Sequence, residues 1–123
     1  MLSPSDAPRA PVRLVYGSDA FLQRLIDSSA AEGHRVGVLT TEEKQGVFQR
    51  ARSVQYCGRR ADLASVAQRL YDCLRAFDDT DVDIIYAEVF PNQGIGTAVM
   101  NRLEKAAGKQ VIREEGWKVP DSA

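Results

Sequence analysis

Short apolar runs alternate along the chain with apolar stripes at helical spacing, and each change of period is marked by a capping residue or a glycine. Val12-Arg13-Leu14-Val15-Tyr16 predicts a strand stopped by Gly17, with Ser18 or Asp19 placed to cap the helix that follows. Phe21, Leu22, Leu25, Ile26 and Ala30 form the inward stripe of that helix, and Gly33 suits the left-handed residue that ends it. Val36 to Thr40 predicts a second strand. Thr40 and Glu43 then have capping-box spacing for a second helix carrying Val47, Phe48 and Ala51, weakened by Gly46.

Ser53 to Cys57 predicts a third strand, Gly58 a turn, and Asp62 the cap of a helix with Leu63, Val66, Ala67, Leu70, Cys73, Leu74 and Phe77 on its apolar face. Val82 to Ala87 is a nearly continuous β-branched run, as in strands buried on both faces, and is expected at the centre of a sheet. A last helix is predicted from about Gly96 to Ala107, with Val99, Met100, Leu103 and Ala107 inward and Gly108 at its end; Val111 and Ile112 supply an edge strand. Strands alternating with helices in this way predict an α/β three-layer sandwich, a mostly parallel sheet of four or five strands joined by right-handed crossovers. Residues 1–11, with Pro4, Pro8 and Pro11, read as an extended arm or linker remnant, residues 12–113 as the domain, and residues 114–123 as a tail.

Composition narrows the classes of function. The 123 residues suit one domain, 44% hydrophobic residues suffice for a core, and no second catalytic domain fits. Sixteen Lys and Arg against seventeen Asp and Glu lack the basic excess of a protein that binds nucleic acid strongly on its own. No apolar run approaches the roughly 18 residues of a membrane helix, and Met1 to Pro11 lacks the apolar core of a signal peptide. Cys57 and Cys73 are not spaced as a CxxC pair. The expectation is a reduced, cytoplasmic protein.

Ligands of open parallel sheets bind beyond the carboxyl ends of the strands, where helix N-termini and polar loops converge. That places Ser18 after strand one, Thr40 after strand two, Arg59 and Arg60 after strand three, and Glu88, Asn92, Gly94 and Gly96 after strand four among the ligand-binding candidates. Free N–H groups after Gly17, Thr40, Gly58 and Gly94 are expected to point there, with the arginines supplying charge for an adenylate or phosphate. The same residues also read as helix caps and solvated arginines. Gly94-Ile95-Gly96-Thr97-Ala98-Val99 carries two glycines of a dinucleotide fingerprint with Val99 in place of the third, and no GxxxxGK[ST] motif occurs. His34 falls between a helix end and a strand start, at the opposite edge. Asp79, Asp81 and Asp83 lack the glycine and glutamate that would complete a calcium loop, since Ile84 and Phe90 stand there. The residues give no catalytic group, no metal-ligand cluster and no resident cofactor.

Three stretches together resemble one family: Tyr71-Asp72-Cys73-Leu74-Arg75-Ala76-Phe77-Asp78, then Asp83-Ile84-Ile85-Tyr86-Ala87-Glu88, then Gly94-Ile95-Gly96-Thr97-Ala98-Val99-Met100-Asn101-Arg102-Leu103-Glu104-Lys105-Ala106-Ala107-Gly108. This long pattern is similar to the C-terminal domain of the two-domain L-threonylcarbamoyladenylate synthases, and with the upstream units from Ala10-Pro11-Val12 through Val36-Gly37-Val38-Leu39 and Arg69-Leu70 the resemblance covers nearly the whole chain after the first few residues. The resemblance implies a Rossmann-like fold and an accessory, non-catalytic role beside a YrdC-like domain. That partner makes threonylcarbamoyl-adenylate from threonine, bicarbonate and ATP for tRNA modification. ATP or threonylcarbamoyl-adenylate is then expected only with the catalytic domain; the alternative is a free-standing small-ligand or nucleotide sensor. Ser3-Pro4 and Ala7-Pro8 look like the ends of the family's interdomain linker, whose central Gly-Met and His-Tyr elements are missing. Glu88, Asn92, Gly94, Gly96, Asn101 and Arg102 carry much of the pattern, with Asn101 and Arg102 more than a helical turn beyond Gly96.

Overall fold

The computed structural model describes residues 8–120. The linker-like residues Ser3, Pro4 and Ala7 lie outside the described residues. The elements run β1 (Val12–Tyr16), α1 (Asp19–Ala31), β2 (Val36–Thr40), β3 (Ser53–Tyr56), α2 (Leu63–Ala76), β4 (Ile84–Glu88), α3 (Ile95–Ala107) and β5 (Val111–Arg113). All strand pairs are parallel, in the order β3-β2-β4-β1-β5. The strand with the most continuous apolar run, β4, is the central one.

The period-2 alternation of each strand divides the core into two faces. Leu14, Ile85 and Ala87 pack with Val66, Leu70, Leu74, Val99 and Leu103 of α2 and α3. Val15, Ile84 and Tyr86 turn the other way, onto Leu22 and Ile26 of α1. The buried Tyr86 hydroxyl meets Ser29 of α1 at 2.5 Å, so that its polar tip is satisfied inside the apolar layer. Each fully buried aliphatic side chain contributes roughly 1.5–3 kcal/mol of transfer free energy.

Strand order explains which face each helix takes. The crossovers from β1 to β2 and from β3 to β4 step along the sheet in opposite directions, so right-handedness sends α1 to one face and α2 and α3 to the other.

The helix expected after β2 is not formed. Residues Glu42–Lys44 make a single 3-10 turn, and Gly46 and Arg50 have φ of +78° and +67°, both outside the α region. Phe48 and Ala51 nevertheless pack against the α1 face from a loop, while Val47, the third residue of the expected apolar stripe, is left exposed. The capping residues have other work: Thr40 donates its hydroxyl to Glu88, and the Glu43 carboxylate accepts the N–H groups of Arg60 and Ala61 at 2.7 and 2.9 Å. Asp62 occupies the N-cap position of α2 without a side-chain bond. Ser65 stabilises that turn instead, donating to the Asp62 carbonyl and accepting from the Arg59 N–H. Ser18 caps α1 as expected, accepting from Phe21 N–H at 3.2 Å.

Candidate functional site

Neighbouring strands β1 and β4 send their chains to opposite faces, α1 on one side and α3 on the other. A crevice opens where such neighbours diverge, and it is the default binding position of an open α/β sheet. A cavity of about 240 Å³ lies there. Val15 lines it from β1 and Gly17 and Ser18 from the turn after it, Glu88 from the end of β4 and Val89 from just beyond, Asp19 and Leu22 from α1, Lys44 and Phe48 from the loop after β2, and Arg60 from the loop after β3. Trp117 and Pro120, in the segment read as a tail, complete the wall. That segment is tied to the domain through Glu114, which accepts the Ser18 N–H at 2.8 Å.

At the base of the site Glu88 is held from two sides. Thr40 donates to its Oε1 at 2.5 Å, and Arg60 Nη1 pairs with its Oε2 while also donating to the Val89 carbonyl at 3.0 Å. The Arg60 and Glu88 side chains are 17% and 12% exposed, and the guanidinium lies 5.0 Å from the centre of the Phe90 ring. Beside them Lys44 pairs with Asp19 at 2.5 Å. Although desolvation opposes it, the N–H groups of Ala61 and Arg60 hold the Glu43 carboxyl below its ordinary pKa, which fixes the loop that presents Arg60.

Ser18, Arg60 and Glu88 are thus brought together, and Thr40 stands behind them. Arg59 is exposed outside the cavity wall, its N–H bonded to Ser65. Asn92 and Gly94 are exposed, and Gly96 is buried for a packing reason: a Cβ there would stand 1.9 Å from the Pro91 carbonyl oxygen. Asn101 borders a separate groove with Tyr16 and Val111, whereas Arg102 borders a depression of about 330 Å³ beside Tyr71 on the other flank of α3.

Several amides expected to be free are engaged by the protein itself. Ser18 N–H is taken by Glu114, Glu42 N–H by the Gly58 carbonyl at 2.8 Å, and Gly96 and Thr97 N–H by Gln93 and Gly94 at 2.9 and 3.1 Å. Lys44, Phe48 and Trp117 are the wall residues missed in the sequence. For Trp117 the available signal was a lone tryptophan in a terminal segment that otherwise lacked a pattern; Lys44 and Phe48 carried none that pointed to the cavity.

The remaining reactive groups sit elsewhere. His34 is at the amino edge, 3.4 Å from Asp83, and Asp81 and Asp83 pair with Arg35 and Arg52. The neighbouring Cys73 thiol, together with burial, pushes the Cys57 thiol up, and Cys57 Sγ donates to the Val66 carbonyl inside the core. Thr40 is 1% exposed, so its hydroxyl cannot reach a reacting atom in the cavity.

Comparison with known proteins places this geometry in a family. A family model described as the threonylcarbamoyl-AMP synthase C-terminal domain matches residues 1–108. The chain belongs to that family. A threonylcarbamoyl-AMP synthase of Bacillus subtilis is 56% identical over 107 residues, covering 87% of this chain and 31% of the relative. One from Pyrococcus abyssi is 38% identical over 111 residues, with the same coverage of 87% and 31%. Among solved structures, P. abyssi Sua5 complexed with L-threonine superposes with a TM-score of 0.78 at 36% identity, over 89% of this chain and 31% of that one. An isolated C-terminal Sua5 domain from Pyrococcus horikoshii aligns over 88% of this chain and its own full length, with a TM-score of 0.66 at 28% identity. The chain thus spans about 31% of the length of the curated relatives it matches. Among the described residues of this threonylcarbamoyl-AMP synthase C-terminal domain, no helix is long and apolar enough to cross a membrane.

Proposed function

We propose that this domain is a non-catalytic accessory module that works with a YrdC-like catalytic domain in making threonylcarbamoyl-AMP for tRNA modification in the cytoplasm. One observation carries the reading: 56% identity to a stretch that is 31% of a threonylcarbamoyl-AMP synthase, which leaves most of that enzyme outside the match. The cavity supports it, because its carboxylates and cations are paired with one another and, among the described residues, no activated nucleophile lines it. A chimaera tests the proposal: this chain replaces the matching 31% of the B. subtilis relative, and threonylcarbamoyl-AMP is measured from threonine, bicarbonate and ATP. Activity within about tenfold of the parent is expected. A folded chimaera as inactive as the parent lacking its C-terminal part would overturn the role.

The second reading, a small-ligand or nucleotide sensor, draws on the cavity at the β1–β4 divergence, with Ser18, Arg60 and Glu88 as its candidate contacts. At about 240 Å³ it is smaller than the roughly 300–1,000 Å³ of pockets that enclose drug-sized ligands, so an adenylate would be gripped by one part only. Amide shifts at Ser18 and Arg60 on adding AMP, absent at His34, test this reading. Shifts confined to the amino edge would contradict it.

A further inference from the structure

We infer that the cavity between β1 and β4 is a site for one oxyanion, a carboxylate or a phosphate, carried on a small flat apolar body. The inference rests on the ligand-binding reading of that cavity and names the chemistry that Arg60, Lys44, Phe48 and Trp117 would recognise.

The hydrogen-bonding inventory gives the sign of the ligand. Arg60 spends Nη1 on Glu88 and the Val89 carbonyl, whereas its Nε and Nη2 make no hydrogen bond among the described residues. Those two nitrogens form the second edge of a planar fork, the geometry that takes both oxygens of a carboxylate or phosphate. Lys44 Nζ has three donors and gives one to Asp19, which leaves two. On the acceptor side, both Glu88 oxygens are engaged, Oε1 by Thr40 and Oε2 by Arg60. Asp19, which also lines the cavity, keeps its Oδ2 without a hydrogen bond among the described residues, so the case for an oxyanion rests on the free fork edge of Arg60 beside the two N–H groups left on Lys44 and not on a surplus of donors.

The walls give the shape. Phe48 and Trp117 contribute rings, and Val15, Leu22 and Val89 contribute aliphatic surface, so the part of the ligand away from its charge is apolar and benefits from being planar. The volume, about 240 Å³, holds a body the size of one aromatic ring with its acid group. The two cations facing the cavity are balanced by Asp19 and Glu88, so long-range attraction is weak and recognition comes from the open guanidinium edge at short range.

The chain holds one tryptophan, so the Trp117 indole N–H gives a single resonance that reports on the cavity wall. Titration of the purified chain with inorganic phosphate, benzoate and AMP, against sodium chloride of equal ionic strength, separates the sources of the oxyanion. Saturable shifts of the Trp117 indole and Arg60 Nε–H resonances are expected with benzoate, and phosphate or AMP acting likewise would show that the phosphate group also fits. Lys44→Met is expected to weaken binding about tenfold or more, as is Arg60→Lys, which keeps a charge for Glu88 but loses the fork. Arg59→Met, outside the cavity, leaves the affinity unchanged. Thermal midpoints of all variants establish that they are folded.

No saturable shift with any probe at about 10 mM would overturn both this inference and the ligand-binding reading. Saturable binding of AMP that neither Lys44→Met nor Arg60→Lys weakens would retain a ligand site and overturn the oxyanion assignment. A response matched by sodium chloride would overturn it as well.

Discussion

Removing either half of the Arg60–Glu88 pair leaves the other charge in a largely closed site, and the cost can be worked from the exposures. At 17% and 12% exposed, the pair stands between surface ion pairs, worth about 0–1 kcal/mol, and buried ones, whose halving costs about 3–5 kcal/mol. Glu88→Ala also takes the acceptor from the Thr40 hydroxyl, which is 1% exposed, at about 1 kcal/mol more. We expect about 3 kcal/mol of lost stability for Glu88→Ala and about 2–3 kcal/mol for Arg60→Met. The double variant Arg60→Met/Glu88→Leu removes both charges and returns apolar volume, so it should lose only about 1–2 kcal/mol. Glu88→Leu should lose about as much as Glu88→Ala, and urea unfolding of wild type, Arg60→Met, Glu88→Leu and Arg60→Met/Glu88→Leu completes the cycle, with a coupling of about 3–5 kcal/mol predicted. Additivity within about 0.5 kcal/mol would show that the two side chains do not act as a pair, and the described base of the cavity would be wrong.

Leu70→Ala should cost roughly 2–5 kcal/mol, because Leu70 is 1% exposed in the layer between the sheet and α2, while His34→Ala should cost under about 1 kcal/mol; denaturant midpoints compare them, and equal losses would refute the helix phase. The lowered Glu43 carboxyl pKa sets the acid limb: its contribution is fully present above the ordinary value of 4.5 and is lost as pH falls through the lower folded value. Asp81, lowered chiefly by its hydrogen bond from Arg52, acts in the same direction. Glu43→Gln should therefore flatten the fall of the thermal midpoint below about pH 4.5, and an unchanged slope would show that the N–H groups of Arg60 and Ala61 do not hold that carboxylate.

The sheet and its helices were legible because burial imposes the period: Val82 to Ala87 reads as a central strand, and β4 lies between β2 and β1. The helix expected at Val47, Phe48 and Ala51 failed for a physical reason. Two apolar residues can be buried by a loop as well as by a helix, and the left-handed residues at 46 and 50 decide for the loop. Strand order carries no local signature, so the divergence of β1 from β4 that creates the cavity could be seen only in the structure. For the same reason Arg60 could be picked from its loop, while its pairing to Glu88 across the sheet, and the arrival of Lys44 and Trp117 beside it, could not. Asn101 and Arg102 share a sequence pattern with Gly96 yet border other surfaces, since consecutive helical residues point about 100° apart.

The central claim is that the chain supports threonylcarbamoyl-AMP synthesis without performing it. Its most direct test is mass-spectrometric detection of threonylcarbamoyl-AMP from threonine, bicarbonate and ATP, with the purified chain alone and with the catalytic part of a relative added. No product is predicted from the chain alone, and more product from the mixture than from the catalytic part by itself. Product from the chain alone, or a mixture no more active than the catalytic part, would contradict the accessory role.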